Sequence, residues 1–248
     1  MFSRTLLVAD LLLIVCCVAQ AIAEFALDDD LVSVPGGTFG MGTNSPDSRD
    51  GEAPAREVKV KPFSIDKYPV TNKDFRDFVR ATKYKTEAES FGWSFVFQDL
   101  VSEELKSRVT QKIESAPWWL PVEKVFWRQG KFPDLDTAED GYHGTSPVTA
   151  FPPQNIYGLH DMLGNVWEWT ATEYHPHSRP VARNGAQKMF VLRGASWIDT
   201  ADGTANHKAR VTTRMGNTPD SASDNLGFRC AVSMKSQKPK SSEIKTDL

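Results

Sequence analysis

The chain has 248 residues and a formal net charge of −3, and 40% of its residues are apolar. This composition is typical of a folded domain of ordinary size rather than of a disordered chain. It has no basic stripe and no excess of positive charge, which argues against a nucleic-acid-binding protein. We therefore expect one domain with its own core and no nucleic acid among its partners.

The two ends of the chain predict processing and targeting segments. A positive residue followed by an apolar run over 6–19 and by small residues before a cleavage site predicts a signal peptide at 1–23. The alternative is a membrane anchor, but the run is shorter than the roughly 20 residues that a span needs. We expect no membrane association. The polar tail 235–248 predicts disorder, and its end, KTDL, loosely resembles a KDEL retention signal.

Short strands are predicted near the start of the domain. Residues 31–41 have β-branched and aromatic residues on either side of Pro35-Gly36-Gly37, which predicts a hairpin. Residues 58–61 alternate between apolar and charged side chains, which predicts a half-buried strand.

The next segment predicts helices on either side of an aromatic strand. Phe75, Phe78 and Val79 recur at helical spacing after a Thr-Asn pair, so we expect an amphipathic helix with a polar cap. The aromatic run SFGWSFVFQDLV is typical of a strand, and VSEELKSRV predicts a short helix capped by Ser102.

Helical periodicity disappears after residue 117, where tryptophan, proline and glycine become frequent. The segments NVWEWTATEY and MFVLRGASW alternate as strands, and long irregular connections separate them. The fold class that we predict is α+β, a single loop-rich mixed domain over residues 24–234 with little regular secondary structure.

Cysteine usage raises a question. Cleavage of the signal peptide would remove Cys16 and Cys17 and leave Cys230 alone in an oxidising compartment. Such a cysteine indicates an intermolecular link, a reactive thiol or missing sequence, and it is otherwise a buried small hydrophobe.

The segment DMLGNVWEW predicts a calcium site. Calcium takes roughly six to eight oxygen ligands, some of them from the backbone carbonyls of a bent chain. Asp161 and Glu168 offer carboxylates, Gly164 permits a sharp turn, and the carbonyls of Gly164 and Val166 can point inward. The alternative is an ordinary strand whose tryptophans pack and whose acids face water.

Five segments in order resemble the sulfatase-modifying-factor family, whose founding member is the formylglycine-generating enzyme. The segments are VPGGTFGMG, YPVTNKDFRDFV, SPVTAFPPQNIYGLHDMLGNVWEWT, LRGASW and NTPDSASDNLGFRC. The resemblance implies a C-type-lectin-like, formylglycine-generating-enzyme fold, residence in the endoplasmic reticulum lumen and bound structural calcium. Segments such as FGWSFVF and WWLPVEK resemble the non-catalytic branch of the family.

One departure from the family is large. A long block that includes a helix is expected after Gln129, but here Gln129 continues directly into GKFPDLDTAEDGYHG. The resemblance implies that Cys230 pairs with a cysteine of that block. We therefore expect an internal segment to be missing between 129 and 130, through alternative splicing or an incorrect gene model, and a fold weakened by the loss.

The catalytic members of the family bind copper through two cysteines that follow the motif matched by Ser196. Here the first of these positions falls on Asp199 and the second near Thr204. Carboxylate and hydroxyl oxygens cannot replace the soft thiolates that hold Cu(I). We therefore expect no copper, no catalytic residues and no enzymatic activity.

The resemblance maps one calcium site onto Asp161, Gly164, Val166 and Glu168. A second site retains only Asp140 and the carbonyl of Tyr142, because Phe126 stands where an asparagine ligand is expected. It is predicted to be weakened or lost. The region that lines the family's peptide groove offers these candidates, each of which also has an ordinary structural interpretation: Ser196, Arg214, Asn217, Asp220 and Ser221.

The predicted function is that of a lumenal, non-catalytic protein that binds sulfatases or the formylglycine-generating enzyme and modulates sulfatase activation, by inhibition. The resemblance also allows a homodimer or a heterodimer. Two alternatives stay open: an oxidase that acts on a sulfatase cysteine with some other metal, and a splice product without activity.

Overall fold

Four small sheets and three short helices, joined by long loops, make up the fold. The computed structural model describes residues 30–110, 113–114, 116–127, 141–175, 187–204 and 206–234. The predicted signal peptide, the polar tail, the junction at 129/130 and Asp140 lie outside the described residues. Within the described part of the chain, no helix is both long enough and apolar enough to cross a membrane.

The eleven strands of the described part are numbered in chain order. They are β1 (Leu31–Val34), β2 (Gly37–Met41), β3 (Arg56–Val60), β4 (Phe63–Asp66), β5 (Trp93–Phe97), β6 (Trp119–Glu123), β7 (Trp167–Glu173), β8 (Phe190–Arg193), β9 (Arg214–Asn217), β10 (Leu226–Gly227) and β11 (Ala231–Ser233). The helices are α1 (Asn72–Thr82), α2 (Glu87–Phe91) and α3 (Glu103–Arg108), with a 3₁₀ turn at Gln98–Leu100.

The sheets pair strands that are distant in sequence. One sheet has the antiparallel order β1-β4-β11, and a second has the order β10-β7-β8-β9, in which β10 runs parallel to β7. The other two are the hairpins β2-β3 and β5-β6. The predicted hairpin over 31–41 is wrong, because β1 pairs with β4 and β2 pairs with β3, so the Pro-Gly-Gly turn passes the chain from one sheet to another.

Helices α1 and α2 begin with the same capping device. Thr71 and Thr86 each accept a hydrogen bond from the backbone N–H three residues later, and the acid at that third position accepts one in return. This capping box satisfies backbone donors that would otherwise have no partner. Helix α3, capped by Ser102 as the sequence predicts, lacks the returning acid.

Two clusters form the core. One lies between the hairpin β5-β6 and the 3₁₀ turn and consists of Val96, Leu100, Val101, Leu120 and Val122. The other is centred on Trp167 and Leu192, which are completely buried in the four-stranded sheet. The prediction that Trp167 faces the core is confirmed.

Candidate functional site

The loop that follows β8 is built around a buried aspartate. Gly194 and Ala195 both adopt left-handed backbone conformations and turn the chain sharply after the strand. A side chain at Gly194 would come within 3.2 Å of the Met162 carbonyl oxygen, so this position suits glycine. Ser196 and Asp199 follow this turn, and both side chains are buried.

Asp199 accepts hydrogen bonds from four donors. Its Oδ2 accepts from the backbone N–H and the hydroxyl of Ser196, both at 2.7 Å. Its Oδ1 accepts from the amide of Asn206 at 2.8 Å and from the N–H of His207 at 2.9 Å. The side chain has no exposed area. The carboxylate therefore closes the loop over 196–207, and its oxygens are engaged by the protein itself.

Ser196 continues this network into the core. Its hydroxyl oxygen accepts a hydrogen bond from the Asn225 amide at 3.1 Å, and Asn225 in turn accepts one from Ser223. The imidazole of His207 packs edge-on against Trp167, with ring centroids 5.3 Å apart. The position that the resemblance assigns to a redox cysteine is thus occupied by a structural carboxylate.

The predicted calcium loop lies beside an arginine that sequence reasoning missed. Asp161, Gly164 and Asn165 all have positive φ values, which bend the chain tightly. Asp161 is buried and accepts a hydrogen bond from the Asn165 amide at 2.9 Å. The guanidinium of Arg229 binds both carboxylate oxygens of Glu168, with distances of 2.6–2.9 Å.

Arg229 also donates hydrogen bonds to the backbone around this loop. Its nitrogens donate to the carbonyl oxygens of Asp66, Lys67, His160 and Asp161. Burial raises the pKa of Glu168, the ion pair with Arg229 opposes that rise, and the Asp161 charge adds to it.

Calcium fits this loop only by sharing a ligand. Carboxylate and carbonyl oxygens are the ligands that calcium prefers, and Asp161 and Glu168 supply two carboxylates near this bend. Arg229, however, already holds the Glu168 carboxylate, so an ion would have to share it. No group of three or more acidic, histidine or cysteine side chains suited to a metal occurs in the described part of the chain. The calcium prediction at Asp161, Gly164, Val166 and Glu168 stays a prediction.

Only one of the two ligands predicted for the second calcium site, Tyr142, lies among the described residues. Asp140 lies outside the described residues, whereas Tyr142 is partly exposed and packs edge-on against Phe151, with centroids 5.9 Å apart.

The candidate groove residues separate into two groups. Asp220 and Ser221 line an open cavity of about 490 Å³. Ser196 is only 2% exposed, so its side chain does not contribute to a surface. Arg214 and Asn217 lie on β9 and are not among the lining residues. Arg214 stacks over the ring of Tyr174 at 5.6 Å and donates to the Gly51 carbonyl.

The cavity, which we call the junction groove, contains a second aspartate that sequence reasoning missed. Asp224 lies in its wall, and both of its carboxylate oxygens are buried without a hydrogen-bond partner in the described structure. Burial raises the pKa of Asp224 to about 7, although the N–H groups of Phe97 and of Asp224 itself lower it in part. The local sequence Ser-Asp-Asn-Leu-Gly carries no signal for such a position.

Cys230 is a free thiol next to Asp66. The backbone N–H of Cys230 donates to the Asp66 carboxylate at 2.7 Å, and its carbonyl accepts from the Asp66 N–H at 2.9 Å. Partial burial of the sulfur and the Asp66 charge raise the pKa of the thiol. The thiol is therefore protonated at neutral pH, which disfavours a reactive nucleophile.

The loop-rich sheet arrangement and the closed loop after β8 define a sulfatase-modifying-factor-like domain. The family model for the "Sulfatase-modifying factor enzyme 1-like domain" matches the chain in two pieces, residues 19–136 and 127–234. The chain belongs to this family. A solved structure, that of PvdO from Pseudomonas aeruginosa, shares the fold with a TM-score of 0.52 and 22% identity, covering 82% of this chain and 94% of that one. The predicted fold class is confirmed.

Two relatives place the chain within the family. It is 52% identical to the inactive C-alpha-formylglycine-generating enzyme 2 of Bos taurus, with 82% of this chain and 87% of the relative covered. It is 36% identical to the formylglycine-generating enzyme of Mus musculus, with 82% and 74% covered. The chain is a non-catalytic paralogue of the formylglycine-generating enzyme, as its sequence predicts from the missing cysteine pair.

The alignment with the bovine relative extends over 271 positions, more than the 248 residues of this chain. It must therefore contain positions that the relative fills and this chain does not. The two pieces of the family match meet within residues 127–136. Both observations support the interpretation that an internal segment is missing near 129/130.

Proposed function

We propose that this protein is a lumenal partner of the sulfatase-maturation machinery that binds sulfatases or the formylglycine-generating enzyme and inhibits sulfatase activation. The observation that carries the proposal is the state of Asp199. The family scaffold is retained around it, but a carboxylate with four hydrogen-bond donors replaces the expected redox thiol. A family member that keeps the scaffold without the chemistry can compete for the same partners.

The chemistry supports binding without turnover. Cu(I) selects soft sulfur ligands, and Asp199 and Thr204 offer hard oxygens instead. Cys230 does not belong to the Asp199 loop. It lies immediately before β11 and next to Asp66, and the raised pKa of its thiol keeps it protonated.

Calcium belongs to the same proposal as a structural ion. Asp161 and Glu168, with the carbonyls of Gly164 and Val166, would hold it, and Arg229 would share the Glu168 carboxylate. A ligand that binds only the folded state raises the melting temperature. We expect added calcium to raise the melting temperature relative to EGTA, and Asp161→Asn to reduce that difference. The same melting temperature in calcium and in EGTA would show that calcium does not stabilise the fold and would contradict the proposed calcium site.

The proposal places the protein in the endoplasmic reticulum lumen, and it treats the junction at 129/130 as a splice boundary. Cell fractionation of an epitope-tagged chain tests the first part. Sequencing the transcript across the junction tests the second, because a skipped exon leaves the full-length message beside the short one.

The activity test compares this chain with the murine formylglycine-generating enzyme. Each is incubated with a sulfatase peptide that contains the target cysteine, with copper and oxygen supplied. We expect aldehyde product from the murine enzyme alone, retention of the sulfatase by this chain in a pull-down, and less aldehyde when both proteins are mixed. Aldehyde formed by this chain alone would favour the oxidase alternative.

The inactive splice product is the second candidate, and the poorly compensated burial of the Asp224 carboxylate, which raises its pKa, favours it. A broad melting curve that does not respond to calcium, together with no retention of a sulfatase, would support that candidate over the proposal.

A further inference from the structure

Two arginines lie side by side on the sheet β10-β7-β8-β9. Arg193 on β8 is directly opposite Arg214 on β9 in the antiparallel register. Directly opposite side chains have Cβ atoms about 5 Å apart on the same face of a sheet, and like charges in such positions repel each other. Burial and the Arg214 charge lower the pKa of Arg193, and the Glu52 charge raises it in part. The fold therefore holds two positive charges together at a cost to its stability.

Backbone carbonyls are the acceptors that the described structure gives this pair. Arg193 donates to the carbonyl oxygens of Thr212 at 2.8 Å and of Val211 at 3.0 Å. Arg214 donates to the Gly51 carbonyl at 3.1 Å, and its Nε is buried without an acceptor among the described residues. A buried N–H group without an acceptor is rare in folded proteins. Because a guanidinium has more N–H donors than these carbonyls accept, the pair can bind a further acceptor.

The acids near the pair are already engaged by other groups. Asp47 and Glu52 both form ion pairs with Arg210. Asp50 accepts a hydrogen bond from the Tyr174 hydroxyl at 3.0 Å. Within the described ranges, neither arginine of the pair has a carboxylate as an ion-pair partner of its own. The two positive charges are therefore not neutralised by direct contact with an acid.

The pair is both accessible and held in place. Both arginines are partly exposed, and Val211, whose carbonyl accepts from Arg193, is 80% exposed. Arg214 is fixed by its stacking over the ring of Tyr174 at 5.6 Å, in addition to its hydrogen bond. A ligand that arrives from solvent would therefore meet two guanidinium groups whose positions are already restricted, which lowers the entropic cost of binding.

We propose that Arg193 and Arg214 together bind one divalent tetrahedral oxyanion of the sulfate or phosphate class. Each guanidinium can donate parallel hydrogen bonds to a pair of oxygens, so two guanidinium groups match a tetrahedral oxyanion better than a single carboxylate. A divalent anion would also balance the charge of the pair. The inference is independent of the proposed partner-binding function, and it requires no bond to form or break.

The direct test is equilibrium dialysis of the full chain against radiolabelled sulfate at constant ionic strength. We expect saturable binding of about one sulfate per chain, displacement by phosphate, and little displacement by the same concentration of chloride, because a monovalent ion does not form the paired hydrogen bonds. Sulfate that binds without saturation, or that chloride displaces as well as phosphate does, would show an adventitious ion only and overturn the inference.

Variants that remove one positive charge locate the binding. Arg193→Met and Arg214→Met should each weaken sulfate binding about tenfold or more. Arg214→Lys keeps the charge but loses the paired donors, so we expect an intermediate affinity. Lys188→Met removes a positive charge that pairs with Glu173 of β7 and should leave binding unchanged. Equal losses in Lys188→Met and Arg214→Met would show general attraction by positive charge and contradict the proposal.

A measurement on the unmodified chain covers the case in which the methionine variants do not fold. Phenylglyoxal reacts with accessible guanidinium groups, and mass spectrometry gives the rate at each arginine. We expect saturating sulfate to slow the reaction severalfold at Arg193 and Arg214, while Arg76, which is exposed on α1, reacts at the same rate. Rates that sulfate does not change, or slows equally at all three positions, would overturn the inference.

A phosphate ester distinguishes a free anion from the same group carried by a larger molecule. Phenyl phosphate carries the oxyanion on an apolar ring, whereas inorganic phosphate is the oxyanion alone. Tighter binding of phenyl phosphate in the dialysis competition would support the site and assign it to a group on a larger ligand. Tighter binding of inorganic phosphate would support the site and assign it to a free anion. Failure of both to displace sulfate would contradict the proposal.

Discussion

Asp199 and Asp224 are both largely buried aspartates, but their surroundings differ completely. Asp199 receives four hydrogen bonds from a loop that closes around it, whereas Asp224 accepts none of normal geometry from the described residues and has only weaker contacts with the N–H groups of Phe97 and of its own residue. A buried carboxylate is stable only where the chain supplies donors or a cation. The Asp199 carboxylate is thus compensated by its own loop, whereas the Asp224 carboxylate is buried with little compensation.

The largest expected effect is the loss of the ion pair between Arg229 and Glu168 beside the predicted calcium loop. Arg229→Met would remove the ion-pair partner that Glu168 has among the described residues and leave a largely buried carboxylate without compensation. Loss of one partner of a buried pair costs about 3–5 kcal/mol. We expect the free energy of unfolding, measured in urea, to fall by that amount.

The control for Arg229→Met is the double variant Arg229→Met, Glu168→Gln. It removes the charge together with its partner and should recover part of the loss. Equal losses in the single and the double variant would show that the ion pair contributes little and that packing alone is affected.

Removal of the Asp224 charge should have the opposite effect and stabilise the fold at high pH. The pKa of Asp224 rises from 3.8 to about 7 on folding. An acid with a raised pKa in the folded state destabilises the fold as the pH increases from about 4 to about 7, because the unfolded chain ionises first. Asp224→Asn should therefore match the unmodified chain at pH 4 and exceed its stability at pH 8 by up to about 4 kcal/mol.

A pH series of thermal unfolding measures this difference. Asp202→Asn is the matched control, because Asp202 is a solvent-exposed aspartate at which no gain with pH is expected. Asp224→Asn that is less stable than the unmodified chain at pH 8 would contradict the account of an uncompensated charge.

A smaller effect tests the closed loop. Asp199→Asn keeps the size of the side chain but replaces one acceptor with a donor and removes the charge from four hydrogen bonds. Hydrogen bonds to a charged group contribute about 1.5–3 kcal/mol. We expect a loss of about 2–3 kcal/mol in urea unfolding. A stability equal to that of the unmodified chain would show that the loop does not depend on the carboxylate.

The smallest expected effect is at the lip of the junction groove. Thr86 caps α2 and lines the groove, and Thr86→Ala should cost about 1 kcal/mol. Thr71→Ala removes the equivalent cap of α1 and provides the comparison. We expect hydrogen exchange to accelerate in α2 alone for the first variant and in α1 alone for the second. Exchange that is unchanged in both would mean that packing, not capping, fixes these helices.

The sequence predicted those elements whose signals are local. The 3.6-residue period of Phe75, Phe78 and Val79 gave helix α1, and Ser102 marked the start of α3. The alternation around Trp167 gave β7 and the inward direction of its tryptophan. Each of these predictions depends only on residues that are close in sequence, so the sequence alone contains the signal.

Non-local pairing explains what the sequence did not reveal. The turn at 35–37 has hairpin chemistry, but β1 and β2 join different sheets because their partners, β4 and β3, lie further along the chain. The frequent tryptophan and proline around Pro121 indicate an irregular connection, yet this segment forms β6, since a two-stranded sheet leaves an edge that tolerates proline.

The residues of the candidate site divide in the same way, into those that local sequence patterns identify and those whose roles depend on distant contacts. Asp161 and Glu168 could be selected from spacing, but Arg229 is 61 residues beyond Glu168, and no pattern links the two. The four donors to Asp199 likewise come together only once the loop closes. The pairing of a buried charge with its partner depends on the tertiary fold, so these roles could be identified only from the contacts in the structure.

The central claim, that the Asp199 loop cannot support copper chemistry, is tested most directly by Cu(I) titration. Residues 24–248 with Cys230→Ser contain no thiol, and this variant competes for Cu(I) with a colorimetric chelator of known affinity. We predict that the chelator keeps all of the copper and that the near-ultraviolet spectrum of the protein does not change. Stoichiometric transfer of Cu(I) to this variant would contradict the account.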